Sequence, residues 1–253
     1  MMYFHPGIYV FLHAEKKPYI YKNVRVRRVK SIEKLMLPRG QNPKIYYDID
    51  IIKSGIRSVI TAKKPKLFID FEMSMPPYRH YKNFVSEIIQ TGFILTDKHD
   101  QVLKEERFFI KPKLFPKISL RTKKFLRFAQ SEVNRGEPYD AFYKMLKTII
   151  KRYRPMVFVW GKNDREGIRN MNKIHELRDF TDQIRFIDLL KLHKTYFGLK
   201  NDLGLFNAHR VYYDEQLSKQ DHDAFEDAKV TKQVFDAFVD ACTNKKDIDF
   251  NAL

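Results

Sequence analysis

The sequence predicts an α/β protein, with a mixed β-sheet flanked by helices and a small basic extension in front of it. Three observations point there. Strand-like runs come first as a meander and then alternate with helical runs. A break at Thr61-Ala-Lys-Lys-Pro65 separates a short leading segment from that pattern, because proline cannot continue a helix or a central strand and the lysines need solvent. Charge is also uneven across the break. Residues 1–65 hold 14 Lys and Arg against 4 Asp and Glu, a balance of +10 out of +17 for the whole chain. The expected domains are therefore 1–65 and 66–253.

In the leading segment, Ile8–Leu12 and Tyr19–Val29 read as strands and Ile51–Val59 as a helix. Lys22-Asn-Val-Arg-Val-Arg27-Arg28-Val-Lys30 alternates basic and apolar residues. On a strand this puts Arg25 and Arg27 on one face and the valines on the other, so one face is expected to be buried and the other to meet solvent or phosphate. After the break, Leu67–Phe71 reads as a buried strand. Ser86–Thr96 and Gln101–Ile110 read as an antiparallel pair turned at Asp97–Asp100. A helix is expected around Leu120–Phe128. A stronger one begins near Pro138, where Phe142, Met145, Leu146, Ile149 and Ile150 share a face, and it stops at Pro155. Met156–Trp160 is a short apolar strand, followed by a helix after Asp164. A strand at Ile184–Ile187 and two helical stretches to about Tyr213 come next, and a last helix runs from near His222 to about Ala241.

With 253 residues, 43% hydrophobic and 31% charged, the chain can bury one sizeable core. No run reaches the apolar length of a membrane span, and the N-terminus lacks the charge pattern and cleavage site of a signal peptide. Cys242 is the single cysteine, so no internal disulfide forms and a cytoplasmic location is expected. The net charge of +17 favours polyanionic partners, nucleic acid first and anionic membrane second. Arg25, Arg27, Arg28 and Lys30 are the candidate nucleic-acid contacts. Tyr19, Tyr21, Tyr46 and Tyr47 lie among them as candidate stacking surfaces, and a solvated β module is the competing reading.

Asp70 and Glu72 are two apart on a buried strand, so both carboxylates point to one side. Ionised together they repel, unless a cation such as Mg²⁺, which prefers hard oxygen ligands, sits between them. A solvated strand end is the plainer alternative. Asp164 follows Trp160-Gly-Lys-Asn at the carboxyl end of a strand, where ligands gather in α/β sheets. Taken alone, capping of the following helix is the simpler role for it. His222 and Asp227 flank the start of the last helix. An incidental histidine at a surface helix start competes with a functional one, and Asp223 rivals Asp227 as a ligand. Ala224 and Ala228 favour Asp227, because small side chains allow that face to pack closely on a strand. Trp160 suits either base stacking or the core.

Taken in order, Phe68-Ile-Asp-Phe-Glu72, Trp160-Gly-Lys-Asn-Asp164 and His222-Asp-Ala-Phe-Glu-Asp227 resemble the three motifs of the DEDDh 3′→5′ exonucleases. That family includes RNase T and the proofreading subunit of DNA polymerase III. The Ile-Asp-Phe-Glu form with Trp-Gly before the second motif is closest to the Eri1-type RNA 3′ exonucleases. The resemblance covers residues 66–240 and implies a ribonuclease H-like fold. It implies two divalent ions, Mg²⁺ or Mn²⁺, the first on Asp70, Glu72 and Asp227 and the second on Asp70 and Asp164, partly through water. It makes His222 the acceptor of the attacking water's proton, and it implies release of nucleoside 5′-monophosphates from RNA or DNA 3′ ends. A catalytically idle nucleic-acid-binding module with the same fold is the alternative. The extension has no counterpart in the resemblance. Ser74-Met75-Pro-Pro77 departs from the family's small or hydrophobic residue two positions after the glutamate, which puts the base pocket in question.

Overall fold

Strands and helices form where apolar periodicity and turn residues place them, in two compact units, residues 1–59 and 60–253. The computed structural model describes residues 4, 6–38, 43–78, 83–213, 222–246 and 248–250.

The first unit holds β1 (Tyr9–Ala14), β2 (Tyr19–Tyr21), β3 (Val24–Val26), β4 (Val29–Leu37), β5 (Lys44–Asp48) and most of α1 (Ile49–Ile60). β1, β4 and β5 form an antiparallel sheet in the order β1-β4-β5. The single strand expected over Tyr19–Val29 is broken, because Lys22 and Asn23 both take positive φ (48° and 62°) and turn the chain back on itself. The β2–β3 hairpin that results is an excursion between β1 and β4. Val24 and Val29 are exposed together with Arg25, Arg27, Arg28 and Lys30 and Val26 is only half-buried, so the expected burial of the valine face is incomplete. A two-stranded ribbon of three-residue strands has no second layer to cover that face. β5 lacks a clear alternating pattern and is absent from the sequence expectations.

The second unit continues with β6 (Lys66–Met73), β7 (Ile88–Thr96), β8 (Val102–Phe109), α2 (Leu120–Leu126), α3 (Gln130–Asn134), α4 (Tyr139–Tyr153), β9 (Met156–Val159), α5 (Asn163–Ile174), β10 (Arg185–Asp188), α6 (Leu189–Phe197), α7 (Leu205–Tyr213) and α8 (Ala224–Asn244). Its sheet runs β10-β9-β6-β7-β8. The β6–β7 and β7–β8 pairs are antiparallel and the β6–β9 and β9–β10 pairs parallel, which is the expected mixed sheet. Among the described residues no helix is long and apolar enough to cross a membrane.

Strand alternation in β6 builds the two faces. Leu67, Ile69 and Phe71 join a core with Phe142, Leu146 and Ile149 of α4 and Ile168 and Met171 of α5. Phe68 points the other way and packs on Phe158 of β9 and Phe235 of α8, with ring centroids 5.5 and 5.1 Å apart. Asp70 and Glu72 follow Phe68 at the same parity, on the α8 face. Gly92 of β7 is the cross-strand partner of Asp70. A Cβ at Gly92 would lie 2.1 Å from Phe225 Cα, so the first turn of α8 sits directly on the bare backbone of β7. Ala224 and Ala228 are fully buried there. Gly92→Ala is expected to destabilise the chain by about 1–3 kcal/mol, the usual cost of overpacking, read as a fall of several degrees in Tm. An unchanged Tm would show that α8 has room to move out.

Candidate active site

β6 supplies Asp70 and Glu72 side by side. Gly161, at φ 116°, lets the chain leave β9 and enter α5, where Asp164 is the second residue. Asp164 therefore lies inside the helix. The cap position falls to Lys162, which makes no side-chain capping bond, so the capping role is ruled out by geometry. The first turn of α5 is still a favourable place for a carboxylate beside the helix dipole. α8 begins later than expected, with Asp223 as its cap. His222 precedes it at φ 50°, and Asp227 lies one turn inside, its N–H donating to Asp223 O at 2.9 Å.

The structure brings these elements together. Ligand atoms of Glu72, His222 and Asp227 all lie within 4.8 Å of one another. Asp70 sits among the same charges. Burial and the neighbouring carboxylates of Asp164, Asp227, Glu72 and Asp223 hold its pKa well above the ordinary aspartate value. Burial, then Asp227, Asp223 and Asp164, pushes Glu72 up to about 8. Burial pushes Asp164 up to about 6, with Asp188 adding to the rise and a backbone hydrogen bond opposing it. Burial and the neighbouring carboxylates drive the rise at both Asp70 and Glu72. A buried, crowded set of hard oxygen donors fits a divalent cation.

Asp223 has other work. Its carboxylate accepts from the N–H groups of Phe225 and Glu226, from Gln90 Nε2 at 2.8 Å and from Arg107 Nη2 at 2.6 Å. Gln90 Oε1 also accepts from Ala224 N at 2.8 Å, so one β7 side chain grips both ends of the helix start. Gln90 is fully buried. It is the polar residue in the apolar run Ile88-Ile-Gln-Thr-Gly-Phe-Ile-Leu95, and a buried amide there demands partners, which is the signal that could have exposed it. Phe125 of α2 stacks on His222 with ring centroids 4.1 Å apart, a contact with no sequence signature. Beyond Glu72, Met75 is clamped by α2. Its N–H donates to Thr122 Oγ1 at 2.9 Å and its carbonyl accepts from Ser119 Oγ at 2.8 Å. Trp160 takes the core role, packed on the α7–α8 cluster with its indole N–H donating to Leu203 O.

The raised carboxylates have a consequence for stability. Between about pH 4.5 and about 8 the folded chain holds a proton on Glu72 that the unfolded chain has released, so this group's contribution falls as pH rises through that window. In chelator, the Tm of the wild type is expected to drop over this range relative to Glu72→Gln. Parallel pH profiles for the two proteins would contradict it.

The profile of the RNase_T exonuclease family matches residues 67–235. KapD of Bacillus subtilis (strain 168), a probable 3′-5′ exonuclease, is 31% identical over 150 residues, covering 58% of this chain and 72% of that protein. Among solved structures, a 3′-exonuclease in 3′-end specific recognition of a histone mRNA stem-loop superposes with a TM-score of 0.61 at 14% identity, over 73% of this chain and 84% of that one. The nuclease domain of 3′hExo, a DEDDh family member bound to rAMP, gives 0.59 at 15% identity, over 74% and 96%. These two show a shared ribonuclease H-like fold. By the profile match across two thirds of its length, the chain belongs to the RNase_T exonuclease family, in its DEDDh 3′→5′ branch.

Proposed function

We propose that the chain is a divalent-metal-dependent 3′→5′ exonuclease that releases nucleoside 5′-monophosphates from single-stranded RNA or DNA ends. The observation that carries this reading is the convergence of Asp70, Glu72, Asp164 and Asp227 with His222, from three separate elements, in one acidic cluster. Asp70, Glu72 and Asp227 would hold one Mg²⁺ or Mn²⁺, and Asp70 and Asp164 a second. When bound, such a pair steadies the attacking and leaving oxygens of an in-line displacement at phosphorus. His222 accepts the proton of the attacking water, its ring held by Phe125. The Met75 clamp fixes the backbone just past Glu72, where the terminal nucleotide would rest.

The test is purified protein with Mg²⁺ or Mn²⁺, given matched single- and double-stranded RNA and DNA labelled at the 5′ end. Stepwise shortening from the 3′ end is expected. Binding without shortening would favour the catalytically idle module.

Arg25, Arg27, Arg28 and Lys30 are all exposed, and we assign them to phosphate contact outside the catalytic unit. Replacing all four is expected to weaken binding whatever the sequence, and to flatten log affinity against log salt by roughly 0.7 per lost contact on a single strand. Turnover at saturating substrate should hardly change. An unchanged salt slope in a folded quadruple variant removes them from the interface.

A further inference from the structure

The β2–β3 ribbon leaves apolar side chains in water for which its own fold has no use. The β1–β4 ladder ends at Ala14↔Val29, and Glu15 N–H donates to Arg28 O just beyond it. β5 pairs with Lys34–Leu37, so among the described residues no third strand lies beside residues 19–26. Register fixes the faces. Tyr19 opposes Val26 and Tyr21 opposes Val24 on one side, while Ile20 opposes Arg25 on the other. Tyr19 is 44% exposed, Tyr21 57% and Ile20 75%. By contrast Tyr46 and Tyr47 of β5 are partly buried. A short ribbon gains little stability from rings it does not bury, so a contiguous exposed aromatic face marks a binding surface.

We infer that Tyr19 and Tyr21 form a two-base stacking platform for single-stranded nucleic acid. Residues i and i+2 of a strand are about 6.6 Å apart, which is close to the base spacing of an extended single strand. Both rings are therefore placed to take successive bases. A cation lies over each ring. Arg28 lies 6.0 Å from the Tyr19 ring centroid and Lys22 5.6 Å from that of Tyr21. Aromatic rings interleaved with cations are the chemistry that holds single strands without reading their sequence. A duplex keeps its bases stacked inside and has none to offer. The platform rests on the exonuclease reading only in its choice of polymer.

The test measures binding of the full chain to short 5′-labelled single strands of RNA and DNA, in chelator so that no hydrolysis occurs. Tyr19→Ser with Tyr21→Ser is expected to weaken binding at least about fivefold for each ring lost, while Tyr19→Phe with Tyr21→Phe binds as wild type. On an abasic strand, which keeps phosphates and lacks bases, all three proteins should bind alike. Both tyrosines are exposed, and circular dichroism checks that the serine variant is folded. Wild-type affinity in the serine variant overturns the platform. An equal loss on the abasic strand does so too, because the rings would then act through something other than bases. Loss on vesicles of anionic phospholipid with strand binding intact would make the ribbon a membrane contact and also overturn it. A chain that binds strands through the rings but never shortens them would sink the exonuclease reading and leave the platform standing.

Discussion

Asp70→Ala and Glu72→Ala are each expected to abolish 3′-end shortening, by more than about 10³-fold, beyond the usual loss for removing one electrostatic donor from an active site. The expectation follows from β6. Both carboxylates stand on the face covered by α8, and burial with neighbouring carboxylates raises the proton affinity of each. Remove one and the remaining oxygens no longer hold a divalent ion at full charge. Folding should survive, because the cluster repels itself when empty of cations and losing one charge relieves it. Asp70→Asn and Glu72→Gln keep the side-chain volume and should show the same loss without a fall in Tm, and toward pH 8 Glu72→Gln should unfold above the wild type in chelator. The measurement is turnover across a metal titration beside thermal unfolding in chelator. Undiminished shortening in excess chelator would end the metal reading altogether.

His222→Ala is the second large effect, a fall in kcat of about 10²–10⁴ with metal affinity nearly unchanged. His222 lies within reach of Glu72 and Asp227, and it comes from the segment before α8 with its ring stacked on Phe125. That is a sensible place for a proton acceptor, which has to meet the water that attacks. The limb of the pH–rate profile that reports an essential base should disappear in the variant. A protein that binds Mn²⁺ and turns over as the wild type would show that His222 has another role.

Much of this site was legible because each motif lies in an element whose period shows in the chain. Asp70 and Glu72 share a face for the same reason that Phe68 does, and that reason is strand alternation. Ala224 and Ala228, the small residues that pointed to the Asp227 face, do lie at the close approach to β7. What escaped was contributed across the sheet. Gln90 and Arg107 hold the start of α8 from strands more than a hundred residues earlier, and while an amide in an apolar run signals that partners are needed, nothing local says which they are. Phe125 escaped likewise. In the first unit the error was local. Lys22-Asn23 had the makings of a tight turn, and the alternation around it hid the turn inside one long strand. α3, only five residues long, is too short to show a helical period.

The bare backbone at Gly92 acts as a mechanical stop. A helix advances about 1.5 Å and turns about 100° per residue, so α8 could not slide by one step without swinging its carboxylate out of the cluster. A slide of one whole turn would present Thr231 or Asp223 in place of Asp227. Lateral seating against the one bare position of β7, with Gln90 holding the helix start, thus sets the axial register of α8.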